Sequence, residues 1–180
     1  MMQLHTGRPA EARGPREDAV YDTLDRLGIA YRRVDHEAAK TMEDCEAVDK
    51  VLGVRMCKNL FLCNRQATDF YLLLMPGDKP FRTKELSAQL GVSRLSFGSA
   101  EHMEAHLGLL PGAVSVMGLI NDTACEVRLL IDGDLLREDE IGCHPCVNTS
   151  SVAFSMEDLM QKFLPATGHG YTAVTLTGEV

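Results

Sequence analysis

The residues best placed to do chemistry begin with Lys58, in the run Met56-Cys57-Lys58-Asn59-Leu60-Phe61-Leu62. Read as a strand, this run points Met56, Lys58, Leu60 and Leu62 to one side, and Cys57, Asn59, Phe61 and Cys63 to the other. Both sides are otherwise apolar, and a lysine is almost never buried unless it is paired. Two readings of Lys58 stand level. It sits at the strand end and extends its ammonium to water, or it puts a compact donor on a cleft floor, to hold a phosphate or polarise an ester carbonyl. A second group follows Gly108-Leu109-Leu110, where Pro111-Gly112 leads into Ala113, Ser115 and Gly118. Glycine admits close backbone approach and proline stiffens the turn, so these small residues suit the floor of a small pocket. An ordinary loop entering a strand is the plainer use. A third group is Arg94 with Lys79, Arg82 and Lys84 upstream, the best local phosphate patch unless it is a solvated face.

Other constellations are weaker. Cys143-His144-Pro145-Cys146 is a C-x-x-C pair, but it lies between strand-like segments with no helix after it, and no second ligand pair follows. His102 and His106 fall at i and i+4 on one helix face without a third ligand nearby in sequence, so no metal is assigned. The phosphate-binding, dinucleotide, nucleophile-elbow and zinc-protease motifs are absent.

The elements that must position these residues follow from periodicity and punctuation. Pro15 to Leu27 has helical spacing at Val20, Tyr21, Leu24 and Leu27, with Gly28 as its stop. Ile29 to Val34 suits a strand, and Thr41 with Asp44 forms a capping box for a helix that Gly53 ends. Met56–Cys63 and Asp69–Met75 make a hairpin of central strands, closed by Pro76-Gly77-Asp78. Helices are expected over Thr83–Leu90 and from Ser99 to Gly108. Glu126–Ile131 and the segment after Asp132-Gly133 are expected to pair as a second hairpin. Ser150–Phe154 suits a strand, Ser155 caps a last helix striped by Met156, Leu159, Met160, Phe163 and Leu164, and Tyr171–Leu176 suits an edge strand. The class is mixed-sheet α/β in one domain over 14–180, with 1–13 as a tail or loosely docked arm.

Composition narrows the function. The 180 residues are 45% hydrophobic and 24% charged, as in a globular chain with a real core. No apolar run approaches the roughly 20 residues of a membrane helix, and the N-terminus lacks a signal-type apolar core, so a cytoplasmic protein with reduced thiols is expected. A net charge of −8 excludes extensive nucleic-acid wrapping and leaves a small, salt-sensitive footprint.

Taken together the segments resemble the YbaK/prolyl-tRNA synthetase-associated editing domain family, from about Tyr21 to Leu164. The carriers are Val34-Asp35-His36, Cys57-Lys58-Asn59-Leu60-Phe61-Leu62, Arg94-Leu95-Ser96-Phe97-Gly98, Pro111-Gly112, Gly118-Leu119-Ile120-Asn121-Asp122-Thr123 and His144-Pro145 with Asn148. Within the family the likeness is greatest to freestanding prolyl-tRNA deacylases. It implies a compact α/β domain with a mixed, curved sheet and surrounding helices, no metal or organic cofactor, and hydrolysis of alanine from proline tRNA. It also implies Lys58 as the key lysine, Asn59 beside it, Arg94 on the tRNA end, Pro111, Gly112, Ala113, Ser115 and Gly118 around the aminoacyl group, and His144 at the rim. The implied partner is the acceptor end of an aminoacyl-tRNA, with prolyl-tRNA synthetase or an elongation factor as protein partners to test. Met56-Cys57 and Val116-Met117 depart from the family pattern and bear on the amino acid preferred. The competing readings are a deacylase for another mischarged tRNA such as cysteinyl-tRNA(Pro), a non-catalytic tRNA-binding module, and a redox or zinc protein using Cys143 and Cys146.

Overall fold

The computed structural model describes residues 1–179. Its strands fall into two sheets. The first is antiparallel throughout, in the order β1 (Leu4–Thr6), β2 (Arg32–Asp35), β8 (Ser150–Ser155), β7 (Glu140–Cys143). The second has the order β5 (Ser96–Phe97), β3 (Lys58–Cys63), β4 (Phe70–Met75), β6 (Val127–Asp132), β9 (Thr172–Val174) and is mixed, since β6 runs parallel to both β4 and β9. The expected α/β class holds, with the strands divided between two sheets that an isolated backbone bridge between Met56 and Gly142 links among the described residues.

The alternation in β3 and β4 separates two cores. Cys57, Phe61, Cys63, Phe70, Leu72 and Leu74 face the large cluster shared with helix α1 (Pro15–Arg26), helix α4 (Ala100–Leu107) and β8. Leu62, Tyr71, Leu73 and Met75 face the other way, under Leu86 of helix α3 (Thr83–Leu90), with Leu60 and Phe81 at the margin. Covering both faces is what the unbroken apolar strands require. A smaller cluster of Val34, Leu52 and Ala153 lies under helix α2 (Met42–Leu52), which begins on the Thr41–Asp44 capping box and ends on left-handed Gly53.

Two local expectations give way. Asp132-Gly133 does not turn a hairpin: the Asp132 side chain accepts from the Asp134 amide and opens the short helix α5 (Gly133–Leu136). Aspartate serves a turn and a helix cap equally well, and an apolar strand does not announce a parallel partner. Leu4–Thr6, in the segment read as a tail or loosely docked arm, is an edge strand on β2. Polar anchors hold that region, with Arg8 on Asp22 and Arg13 on Asp35, and such pairings carry no periodicity. Burial pushes the Asp35 carboxyl up, but hydrogen bonds from Arg13, Arg33 and Ser150 outweigh it and hold the group below the usual carboxylate range.

At the C-terminal end α6 (Met156–Asp158), a π turn at Leu159–Phe163 and α7 (Leu164–Thr167) form one continuous helical segment, capped at Ser155. Its apolar stripe packs into the large core. Beyond it, His169 Nε2 lies 2.8 Å from Asp122 Oδ2, and Asp122 also accepts from the Glu126 and Val127 amides, which fixes the start of β6. Among the described residues no helix is long and apolar enough to cross a membrane.

Candidate active site

A cleft opens where the two sheets meet. The Cys57 amide donates to the Gly142 carbonyl at 3.1 Å, and a Cβ at position 142 would lie 2.6 Å from Val54 Cγ1. A Cβ at position 77 would lie 2.5 Å from the Met56 carbonyl oxygen. Glycine at both positions therefore lets the entry to β3 be clasped from two sides. With α2 as a further wall, the cleft has a volume of about 660 Å³. Its lining includes Asp49 from α2, Met56, Cys57 and Lys58 from the β3 entry, and His36 and His144 from the ends of the antiparallel sheet.

Lys58 is the first residue of β3 and is half-buried. Its Nζ donates to the Lys79 carbonyl at 2.5 Å, and among the described residues no carboxylate lies within ion-pair distance of it. The carbonyl is itself held still. Lys79 Nζ donates to Asp132 Oδ2 at 2.6 Å, Asp134 Oδ2 at 2.7 Å and the Leu176 carbonyl at 2.6 Å. Burial lowers the Lys79 ammonium's pKa, but the two carboxylates outweigh it and the net shift is upward. One lysine is thus a fixed strut, and the other presents an uncompensated charge to the cleft.

His144 follows β7. Burial depresses its imidazole pKa, so the ring is neutral at pH 7. Nδ1 lies 2.8 Å from the Ser150 carbonyl. A carbonyl can only accept, so Nδ1 carries the proton and Nε2 keeps a lone pair. His36 stands with its ring centroid 6.2 Å away, its Nε2 held by the Ser151 hydroxyl at 2.8 Å. Burial raises the Asp49 carboxyl, which accepts from the Met56 amide at 3.2 Å.

Of the residues singled out in the sequence, Lys58 and His144 share this cleft. Asn59 points through the sheet: its Oδ1 accepts from the Val116 amide at 2.9 Å and its Nδ2 reaches the Cys57 carbonyl. Ser115 is fully buried, with its hydroxyl donating to the His144 carbonyl at 2.5 Å. These two side chains tie the loop over 111–118 to β3 and to His144. Pro111 and Gly112 are exposed and Ala113 is buried; Gly112 takes φ 88° beside Asn148. Gly118 is a packing position, since a Cβ there would lie 2.7 Å from Leu109 Cδ1. Arg94 is not brought to the cleft; it is exposed in a separate groove with Phe81, Arg82 and Lys84. The sequence does not mark His36 or the wall of α2 as part of the site. Val34-Asp35-His36 was the one signal available for His36, and the α2 residues become a wall only through tertiary packing.

The remaining chemistry-bearing groups are occupied elsewhere. Burial raises the thiols of Cys57 and Cys146 to about 12 and that of Cys143 well above its ordinary value, so all three stay protonated and are poor nucleophiles. His106 Nδ1 lies 3.1 Å from Glu126, His102 Nδ1 lies 2.9 Å from Ser99 Oγ, and both rings pack against Phe70. Among the described residues no group of three or more His, Cys, Asp or Glu is arranged to hold a metal ion.

Comparison with known proteins gives four concordant results. Residues 36–162 match the family model described as the aminoacyl-tRNA editing domain. The chain is 33% identical over 160 residues to the prolyl-tRNA editing protein ProX of Acetoanaerobium sticklandii, an alignment covering 89% of this chain and 97% of that protein. It is 29% identical to prolyl-tRNA synthetase associated domain-containing protein 1 of Danio rerio, over 81% of this chain and 79% of that one. A solved structure of a candidate trans-editing enzyme for prolyl tRNA synthetase superposes with a TM-score of 0.69 over 92% of this chain and 99% of its own, at 17% identity, which bears on the fold alone.

Proposed function

The chain belongs to the aminoacyl-tRNA editing domain family and is thereby a deacylase, and on that footing we propose that it acts in trans to remove alanine wrongly esterified to proline tRNA. The observation that carries this reading is Lys58: a half-buried ammonium with no carboxylate partner among the described residues, fixed on a backbone carbonyl in a cleft of small-ligand size. The resemblance of most of the chain to an editing protein of prolyl-tRNA supports the substrate class. The cytoplasm is the proposed place of action, and the acceptor end of the charged tRNA the proposed partner.

An aminoacyl ester is already activated, so its hydrolysis needs positioning and stabilisation of the developing oxyanion more than a strong nucleophile. Water adds to the ester carbonyl, the charge gathering on its oxygen faces the Lys58 ammonium, and the carbon–oxygen bond to the ribose then breaks. The ribose oxygen leaves with the proton that the attacking water gives up, and free alanine and tRNA are the products. His144 shapes the rim, and its free Nε2 accepts a hydrogen bond from the bound substrate or water. Asn59 and Ser115 act as positioning residues, holding the adjoining loop against β3 and His144. Met56 and Cys57, which depart from the family pattern, line the cleft and so bear on which amino acid fits. Such walls separate neighbouring side chains by only about 1–3 kcal/mol per methylene.

Assaying hydrolysis of alanyl-, cysteinyl- and prolyl-tRNA(Pro) side by side tests this reading. Preferential loss of the cysteinyl ester would move the activity to that substrate, and stability of all three esters would leave a binding module. Arg94 is proposed as a contact to a tRNA phosphate. Arg94→Ala is expected to weaken tRNA binding and to flatten the log–log dependence of affinity on salt by about one unit; an unchanged slope removes Arg94 from the footprint.

A further inference from the structure

The Lys58 cleft contains a second unpaired charge, of the opposite sign. Asp49, on α2, is half-buried and lines the same cavity as Lys58. Its Oδ1 accepts from the Met56 amide at 3.2 Å, which ties the end of α2 to the entry of β3. Among the described residues Oδ2 takes no hydrogen bond, and no cation lies within ion-pair distance of the carboxylate. Every fully buried side-chain nitrogen or oxygen among those residues has a partner, so the unpartnered Oδ2 is accessible.

The neighbouring charges do not satisfy this carboxylate. The Arg55 guanidinium donates to Asp78 at 2.6 Å. Lys50, the next residue on α2, is exposed and makes no ion pair with Asp49. Burial raises the Asp49 pKa; the Met56 amide and Arg55 oppose the rise, and Glu46 adds to it. A cation arriving at Oδ2 offsets the cost of that burial.

An aminoacyl ester carries the complementary pair of groups. Its α-ammonium stands one carbon away from the ester carbonyl. A cleft that turns the carbonyl oxygen toward one ammonium brings the substrate's own ammonium close behind it, and like charges in one cleft repel. Lys58 alone therefore disfavours the charged substrate that it has to activate. A free carboxylate on the α2 wall of the same cleft removes that conflict.

We propose, on the deacylase reading above, that Asp49 binds the α-ammonium of the aminoacyl group and so turns the ester carbonyl toward Lys58. The preferred ligand is then an acyl group with a free amino group, over a 2-hydroxyacyl or N-blocked one. Asp49 is a specificity-determining residue in this role, and its contact is with a part of the substrate that every amino acid shares.

The test compares single-turnover release from alanyl-tRNA(Pro) and from lactyl-tRNA(Pro), which has a hydroxyl where alanine has its ammonium. Wild-type protein is set beside Asp49→Asn, which keeps an oxygen for the Met56 amide and loses the charge. The variant is expected to release alanine about tenfold more slowly, the scale of one hydrogen bond to a charged group, and to release lactate at the wild-type rate. Equal slowing of both esters would reduce Asp49 to a structural role, and unaltered alanine release would remove it from the site; either overturns the proposal. Binding of the alanyl and lactyl amides of 3′-amino-3′-deoxyadenosine, which resist hydrolysis, separates this from the deacylase reading. A protein that hydrolyses neither ester loses that reading. The Asp49 contact is then supported by wild-type binding of the alanyl amide about tenfold tighter than the lactyl amide, with the preference lost in Asp49→Asn. It is overturned by equal binding or by none.

Discussion

Lys58→Ala is expected to lower single-turnover deacylation by about two to three orders of magnitude, the range found when one donor to a developing oxyanion is removed. Its fold should persist. Lys58 begins its strand, is half-exposed and makes one hydrogen bond to a carbonyl, so the cost to stability is about 1 kcal/mol. Circular dichroism and a thermal melt of the same preparation separate the two effects. The division between kinetic constants then fixes what the ammonium does. An ammonium that stabilises the ester oxyanion lowers kcat when removed, whereas one that grips a phosphate in ground and transition state alike raises KM and leaves kcat in place. Activity within a few-fold of wild type would remove Lys58 from the chemistry altogether.

Lys79→Met should produce the second large effect, by a different route. Its ammonium joins Asp132, Asp134 and the Leu176 carbonyl, and Asp132 is almost wholly buried. Removing the cation leaves that carboxylate without its charge partner, at a cost of about 3 kcal/mol. It also frees the turn whose carbonyl orients Lys58, so kcat should fall even below the melting transition. Lys79→Arg keeps the charge but replaces a point donor with a wider planar fork, and should recover more stability than activity. A Lys79→Met protein with wild-type melting and turnover would show that the strut is dispensable.

Much of this arrangement was legible in the sequence because it rests on local signals. The Thr41–Asp44 box, the glycine stops at 53, 91 and 108 and the unbroken apolar run into Lys58 each act over a few residues, and each placed its element. A charge in an otherwise apolar strand marks Lys58 as unusual, yet the run by itself leaves water and a cleft floor equally open to it. What stayed hidden depends on long-range pairing. β6 lies parallel between β4 and β9, and no local residue specifies that partner choice. Asn59 and Ser115 have the residue types of ligand-binding groups, yet their polar atoms are used to join the 111–118 loop to β3 and His144. Arg94 is distant from Lys58 in sequence and lies in a separate groove. His36 faces His144 because β2 and β7 both pair with β8, and a single histidine after a strand gives no sign of that.

The most direct measurement of the central claim is single-turnover release of amino acid from alanyl-tRNA(Pro), with correctly charged prolyl-tRNA(Pro) as its companion. Release of alanine at least about tenfold faster than proline is expected, the least that a pocket of this kind gives for a methylene-scale difference. Equal release of both, or an alanyl ester no shorter-lived than in buffer alone, would contradict it.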